Sequence, residues 1–438
     1  MNVYNPQSVK LQPDNSNILE SAIELHANGD LLTARNLYEA VLAGEPQNLT
    51  ALHMSGMLAY QEGRLDTAAS LFHRTSKLSP YFAEPFFYRG LVLSSLNRQN
   101  EAVDSFNSAI FVKSDFGEAY FHKALALVEL GDLENAQLAS ENATKYCPDN
   151  AVTFFNLGKI LTSRKMFNQA ASAYNQALEI DPNYVHAILN LANIKSLMGL
   201  DSEAIVQYER AVSIDQDCYA AIHMLAALKG EVTQKAPRLY VENLFNNYAR
   251  TFDQDLVNNL EYKVPTLIGD LVRQLSGRLK FTNVLDLGCG TGLVGKEIKK
   301  YCDNIVGVDI SSEMLLEAEK KCVYSNLEHC EIIDYLRKEP VNSDLFIMAD
   351  VFIYIGNLSE LFSLISKTNK KPVKLIFTTE NSEGSYFSLE KTGRYSHSRV
   401  YINDLCESFN LTITSIKDIQ IRKEANASIM GSIYVAEI

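Results

Sequence analysis

Ala34, Ala68, Ala102, Ala136, Ala170 and Ala204 follow one another at intervals of 34 residues without a slip. A strict period of this length restricts the first half of the chain to a stack of like supersecondary units. Four positions after each alanine stand Tyr38, Phe72, Phe106, Ser140, Tyr174 and Tyr208, an aromatic slot that has become serine once. Val41, Thr75, Ala109, Ala143, Ala177 and Ala211 keep the same step. Pro46, Pro80, Pro148 and Pro182 close four units, Gly56, Gly90 and Gly158 recur in first helices, and Gly29, Gly63, Gly131 and Gly199 fall between paired helices. Small residues at fixed helical positions let two helices approach, and the aromatic fills the gap between units. Glycine supports the turn, and proline stops the second helix. One such unit cannot bury its apolar face, whereas six stacked units can.

The pattern resembles a tetratricopeptide repeat array, with units at about 15–48, 49–82, 83–116, 117–150, 151–184 and 185–218 and a capping helix from Tyr219 to about Lys229. The resemblance implies a superhelix whose concave groove takes an unknown protein or peptide, a spacer or dimerisation surface being the alternative. His26, His53, His73, His122, His186 and His223 lie in separate units and read as ordinary helix residues.

The helical period ends near Gly230, and residues 231–239 read as a linker. A helix with Tyr240–Asp253 and another over Thr266–Leu275 lead into short β-rich runs alternating with helices. The expected strands are Val284–Leu287, Asn304–Asp309, Leu327–Glu331, Leu345–Ala349, Val373–Thr379, Leu411–Lys417 and Ile429–Ile438. The expected helices are Val294–Tyr301, Ser312–Cys322, Leu358–Thr368 and Arg399–Phe409. Such alternation builds a mostly parallel sheet covered on both faces. The expected order is a flexible N-terminus (1–14), an α-solenoid (15–230), the linker, and an α/β domain (240–438) with a seven-stranded, Rossmann-like, mostly parallel sheet.

Val284-Leu-Asp-Leu-Gly-Cys-Gly-Thr-Gly292 joins the first of these strands to its helix. Glycines are needed where backbone must approach a ligand without a Cβ in the way, and open α/β sheets bind ligands at strand ends. A dinucleotide fingerprint needs a third glycine at position 293, which is Leu293; the extra glycine is Gly292, one residue early. No lysine follows in phosphate-loop register. The run instead resembles the first motif of class I S-adenosylmethionine-dependent methyltransferases, which implies that Asp286, Gly288, Cys289 and Gly290 hold the amino-acid end of that cofactor.

Asp309 closes Ile305-Val-Gly-Val-Asp, nineteen residues past Gly290, where an acid can accept both ribose hydroxyls. In the family an acid at the end of the third strand reaches the adenine amino group. Glu331 fits that place better than Asp334, with Ile310 and Ile332 beside these acids. Asp350, at the end of the fourth strand, resembles a motif beside the sulfonium and the acceptor, and serves the cofactor, the acceptor or a loop cap.

Tyr240–Asp253, Ala349–Gly356 and Gly393–Tyr401 together look like bacterial methyltransferases fused behind tetratricopeptide repeats. That resemblance covers nearly the whole chain and names no substrate. It implies that a helix with Tyr248, Phe252 and Asp253 lids the cofactor. On the acceptor side, His397 reads either as a base for a hydroxyl or amine or as loop packing ahead of a Ser398 helix cap. Arg394 suits a bidentate grip on an anion. The function implied is methyl transfer to an unknown small molecule or protein. The alternative is a scaffold keeping fold and cofactor site without significant catalysis.

The remaining composition narrows this further. A formal net charge of −13 lacks the basic footprint of nucleic-acid binding. Seven scattered cysteines without a CxxC pair suit neither a disulfide framework nor a zinc site and point to a reducing cytoplasm. No apolar run of about 18 residues suggests a membrane span.

Overall fold

The structure is a computed structural model that describes residues 15–256, 262–338, 342–367, 372–424 and 427–438. The flexible N-terminus expected over 1–14, and Thr368 at the end of one expected helix, lie outside the described residues. By contacts the chain divides into two units, Met1–Ala204 and Ile205–Ile438.

The first unit is helical throughout its described residues. Its helices run in pairs from α1 (Asn15–Ala27) and α2 (Leu31–Gly44) through α3 (Leu49–Gln61) and α4 (Leu65–Leu78) to α11 (Val185–Leu197), and α12 (Asp201–Ile214) crosses the division. First helices begin at Asn15, Leu49, Ala83, Gly117, Ala151 and Val185, so the 34-residue step of the sequence is the step of the solenoid. The alanine series and Tyr38, Phe72, Phe106 and Tyr174 are buried. A Cβ on Gly56, Gly90 or Gly158 would meet the ring of Phe72, Phe106 or Tyr174 at 2.8, 2.5 and 2.5 Å, so the aromatic occupies the space the glycine leaves. Gly29, Gly63, Gly131 and Gly199 turn the chain with φ between 73° and 85°; Asn97 and Lys165 make the same turn at 59° and 60°.

The second unit carries α13 (Tyr219–Lys229), α14 (Arg238–Gln254) and α15 (Val264–Ser276) ahead of its sheet. The sheet strands are β1 (Phe281–Leu287), β2 (Cys302–Asp309), β3 (Asn326–His329), β4 (Leu345–Met348) and β5 (Lys374–Glu380), followed later in the chain by β8 (Thr412–Glu424) and β9 (Ala427–Glu437). Their order is β3-β2-β1-β4-β5-β9-β8, with β1 to β5 parallel and β9 antiparallel to both of its neighbours. Between β5 and β8 a small antiparallel pair, β6 (Phe387–Leu389) and β7 (Tyr395–His397), forms a sheet absent from the sequence expectation. The connecting helices are α16 (Leu293–Ile298), α17 (Ser312–Lys320), α18 (Ile332–Lys338), α19 (Ser359–Ser366) and α20 (Arg399–Ser408). α18 is a helix to which the sequence reading assigned no bounds.

Side chains alternate across this sheet with the period of two that strands impose. Leu285, Leu287, Phe346, Met348, Leu375 and Phe377 enter one core, and Val284, Leu345, Ile347 and Ile376 the other. β1 to β3 step one way across the sheet and β4 to β5 the other. The carboxyl ends of β1 and β4 therefore flank a topological switch point, where crevices form.

The stretch expected as a linker is bonded in place. Ala236 N–H donates to Tyr354 O at 2.9 Å, and Gln234 O accepts from Gly356 and Asn357 N–H at 2.9 and 2.8 Å. The capping helix α13 belongs to this unit by contact: Ala226 and Ala227 enter the core with Phe346 and Phe377. His223 is indeed a packed helix residue, its Nε2 2.8 Å from Gly393 O and its ring 4.9 Å from that of Tyr240.

Candidate functional site

A cavity of about 300 Å³ opens at the switch point, at the lower end of the range for small-molecule sites. Its floor is the glycine loop. Gly288, Gly290 and Gly292 have φ of 75°, 52° and 87°, backbone that L side chains adopt at a cost. A Cβ on Gly288 would strike Val351 Cγ2 at 2.4 Å. A Cβ on Gly290 would enter the cavity, with Phe252 at 4.0 Å its nearest contact.

Buried acids shape this floor. Asp309, at the end of β2, accepts from Gly290 N–H at 2.8 Å and Ser311 N–H at 2.9 Å while lining the cavity. Burial raises its pKa, and those amides oppose the rise. Glu331 lines the cavity one strand over and caps α18 through Ile333 and Asp334 N–H at 2.9 and 3.1 Å. Asp334 lies apart from the lining, 3.7 Å from Arg238 and 3.8 Å from Arg337. Cys289, Ile310 and Ile332 line the same space.

Asp286 does not line the cavity, a departure from the sequence expectation. It sits beneath the loop, where its Oδ2 accepts from Tyr324 Oη at 2.7 Å and its Oδ1 is buried without a partner. Burial pushes its carboxyl up to about 7, with the Tyr324 hydroxyl opposing and Asp309 adding to the rise. Tyr324 fills the room that Gly292 and Gly295 leave: Cβ atoms there would approach its ring at 2.9 and 2.6 Å.

α14 forms the opposite wall. Val241, Leu244, Phe245, Tyr248 and Phe252 recur at helical spacing and all face the cavity. Polar contacts fix this helix against the glycine loop and against the start of α17. Asp253 accepts from Thr291 Oγ1 and, at 2.7 Å, from Lys321 Nζ, which also reaches Thr291 O at 2.6 Å. Asn246 Oδ1 accepts from Ser311 Oγ at 2.7 Å.

The far end gathers groups from distant parts of the chain: Asp350, Arg394, Arg422, Tyr262 and Tyr354. Asp350 has φ of 55°, and its N–H donates to Thr378 Oγ1 at 2.8 Å, whose hydroxyl donates back to Asp350 Oδ1 at 2.8 Å. Burial raises its carboxyl pKa, opposed by Arg422, Thr378, Tyr262 and Arg394. Arg422, on β8, is buried and paired with Glu380 at the end of β5. Arg394 bonds the Tyr354 hydroxyl. Burial pushes the Tyr248 hydroxyl up to about 12.

His397 is not there. It is buried, its Nε2 3.0 Å from both Ile355 O and Gly356 O, with Phe352, Phe387 and Tyr401 around the ring. Burial drives its pKa down to about 4, against those two carbonyls. Of the two readings of His397, base or loop packing, the geometry matches packing, since the ring lies outside the cavity lining with its Nε2 against two backbone carbonyls. Ser398 caps α20, its Oγ accepting from Tyr401 N–H at 3.0 Å.

Arg422, Glu380, Tyr262 and Tyr324 escaped the sequence reading, because none belongs to a local motif. Tyr354 stood within the quoted Ala349–Gly356 run without being singled out.

Residues 284–370 match a family model described as a methyltransferase domain, and residues 19–81, 117–150 and 161–228 match models described as tetratricopeptide repeats. A malonyl-[acyl-carrier protein] O-methyltransferase of Bacillus cereus is 25% identical over 146 residues, covering 33% of this chain and 53% of that protein. Methyltransferase-like protein 27 of Homo sapiens is 33% identical over 120 residues, covering 27% of this chain and 46% of that protein. The chain thus spans about half the length of these curated relatives. Among solved structures, YrrB, described as a TPR protein with an unusual peptide-binding site, is similar at a TM-score of 0.39 and 19% identity, covering 42% of this chain and 96% of that one. Among the described residues no helix is long and apolar enough to cross a membrane.

Proposed function

We propose, for a chain that joins tetratricopeptide repeats to a methyltransferase domain, that its second unit binds S-adenosylmethionine in the cavity over β1 and β4 and transfers the methyl group to an acceptor oxygen. The observation that carries this reading is the pairing of Gly290 with Asp309: one carboxylate holds the loop amide and faces the same cavity. Asp309 would take the ribose hydroxyls, Glu331 the adenine side, and Gly288 and Gly290 the amino-acid end. Asp286, beneath that end, supports the loop from below through its bond with the Tyr324 hydroxyl. Phe245, Tyr248, Phe252, Tyr262 and Tyr354 give the sulfonium aromatic faces.

The bound cofactor would supply an activated methyl group on a cationic sulfur. This chain's own work is then alignment and exclusion of water. α14 closes one side of the cavity with apolar and aromatic side chains, and the Asp253–Thr291–Lys321 contact fixes its end to the loop. An oxygen acceptor accords with the O-methyltransferase in the name of the Bacillus cereus relative. We read the repeats as a surface for a protein or peptide partner.

Saturating S-adenosylhomocysteine should stabilise the full chain. At about 100 times the dissociation constant the gain is roughly 2.7 kcal/mol. A folded sample whose melting temperature ignores this ligand would refute cofactor binding.

A further inference from the structure

Resting on that reading, we propose that the acceptor oxygen is a hydroxyl, that Asp350 is the base that takes its proton, and that the product is a methyl ether. Charge balance at the far end of the cavity favours an uncharged acceptor. Arg394 and Arg422 face two carboxylates there, Asp350 and Glu380, and Arg422 is paired with Glu380. The guanidinium charges are thus matched within the chain, and an anionic acceptor would bring an unmatched charge into a buried site.

Among the described residues three carboxylates line the cavity, Asp309, Glu331 and Asp350. Asp309 holds the Gly290 and Ser311 amides at the end of β2, and Glu331 caps α18, so both lie where the nucleoside would sit. Asp350 lies elsewhere. Val351, the next residue, packs so close to the loop that a Cβ on Gly288 would strike it, so Asp350 sits where β4 meets the proposed amino-acid end. Its left-handed backbone, φ 55°, is uncommon for a residue with a Cβ. The two-way clasp with Thr378 on β5 holds it there. Thr378 and Tyr262 use two of the about four acceptor sites that a carboxylate offers, which leaves lone pairs for an acceptor hydroxyl.

The other acidic groups near this end are held protonated. Burial raises the Cys289 thiol and the Tyr262 and Tyr354 hydroxyls, and pushes Tyr248 up to about 12. Burial also raises Asp350, against Arg422, Thr378, Tyr262 and Arg394, which makes it a stronger proton acceptor than an exposed carboxylate. In the step, the acceptor O–H bond breaks and its proton passes to the Asp350 carboxylate. The oxygen lone pair forms the new O–CH₃ bond as the carbon–sulfur bond breaks and that electron pair passes to sulfur. The carboxylate and sulfonium charges cancel, and Asp350 returns its proton to solvent after the product leaves.

The test incubates the full chain with methyl-labelled S-adenosylmethionine and either a small-molecule or a protein fraction of a cell extract. Alkali frees methyl esters as methanol, hot hydriodic acid frees methyl ethers as methyl iodide, and methyl groups on carbon or nitrogen stay bound under the same conditions. The expected label resists alkali and is freed by hydriodic acid, the labelled fraction showing whether the hydroxyl belongs to a metabolite or a protein. Asp350→Asn keeps a side chain that tolerates the left-handed backbone. It should slow transfer by about 10²–10⁴-fold and leave the S-adenosylhomocysteine melting shift within error. Because the base must be ionised, wild-type transfer should fall as pH is lowered, with a midpoint above the ordinary aspartate value of 3.8. Carbon-13 NMR of the aspartate-labelled chain should place the Asp350 carboxyl, identified by its loss in Asp350→Asn, above that value too. Label freed by alkali, label on carbon or nitrogen, near wild-type transfer in folded Asp350→Asn, or an Asp350 carboxyl titrating at or below 3.8 overturns this assignment and leaves cofactor binding intact. If Asp350→Asn does not fold, the product chemistry and the wild-type acid limb decide. Cofactor binding without transfer to either fraction overturns methyl transfer and this assignment together, and absence of cofactor binding removes the reading beneath both.

Discussion

Arg394 and His397 stand three residues apart, yet one lines the cavity and the other is sealed behind it. The short β6–β7 pairing turns His397 toward the Ile355–Gly356 carbonyls, so its ring positions a loop. His397→Gln retains a donor for those carbonyls and should keep turnover within a few-fold of wild type; a loss of 10² or more in a folded variant would restore its role as a base. The same histidine makes stability depend on pH. Its folded pKa of about 4 lies below the ordinary 6.5, so the unfolded chain binds the extra proton between those values. Its contribution is complete above about pH 6.5 and is lost as pH falls toward 4, by up to about 1.4 kcal/mol per unit. The urea midpoint of His397→Gln should fall less steeply over that window than wild type. Asp309 is the complementary case. Asp309→Asn turns an acceptor of two backbone N–H bonds into a half-donor, and S-adenosylhomocysteine affinity should fall by about 1.5–3 kcal/mol in calorimetry. An unchanged affinity would remove Asp309 from the cofactor site.

At the scale of elements, the turns of the solenoid show where local chemistry was replaced without loss of geometry. Lys165 occupies the left-handed turn that Gly131 and Gly199 occupy in their own units. Lys165→Gly should raise the stability of the array by about 1 kcal/mol, read from thermal or urea melts. A drop would mean that the lysine side chain compensates for its backbone. α14 depends on contacts its own sequence does not reveal. Asp253→Ala would leave Lys321 and Thr291 without their shared acceptor. Protection of α14 amides from hydrogen exchange should then fall while protection of β1 and β4 persists.

For the second unit as a whole, the division at Ala204 and Ile205 alters how the chain should be cut. Cutting at the expected linker removes α13, taking Ala226 and Ala227 from the core and His223 from Gly393, the neighbour of Arg394. A chain starting at Ile205 should melt above one starting at Val232, by about 2–4 °C for each kcal/mol of packing retained. Equal melting temperatures would assign α13 to the repeats alone.

The amino-acid order by itself determined whatever repeats or follows strand and helix periodicity. The 34-residue step, the seven sheet strands and the glycine loop with Asp309 and Glu331 are of this kind, because each is written in neighbouring residues and enforced by local backbone geometry. Tertiary structure alone decided which side chains meet. It brought Arg422 from β8 and Tyr262 from the segment before α15 to the end of β4, and placed Tyr324 under the loop against Asp286. It also withdrew His397 from the site and gave α13 to the second unit. A histidine after a strand reads the same in sequence whether it faces a cavity or two carbonyls. Burial and partners are properties of the folded packing, and residues far apart in the chain supply them.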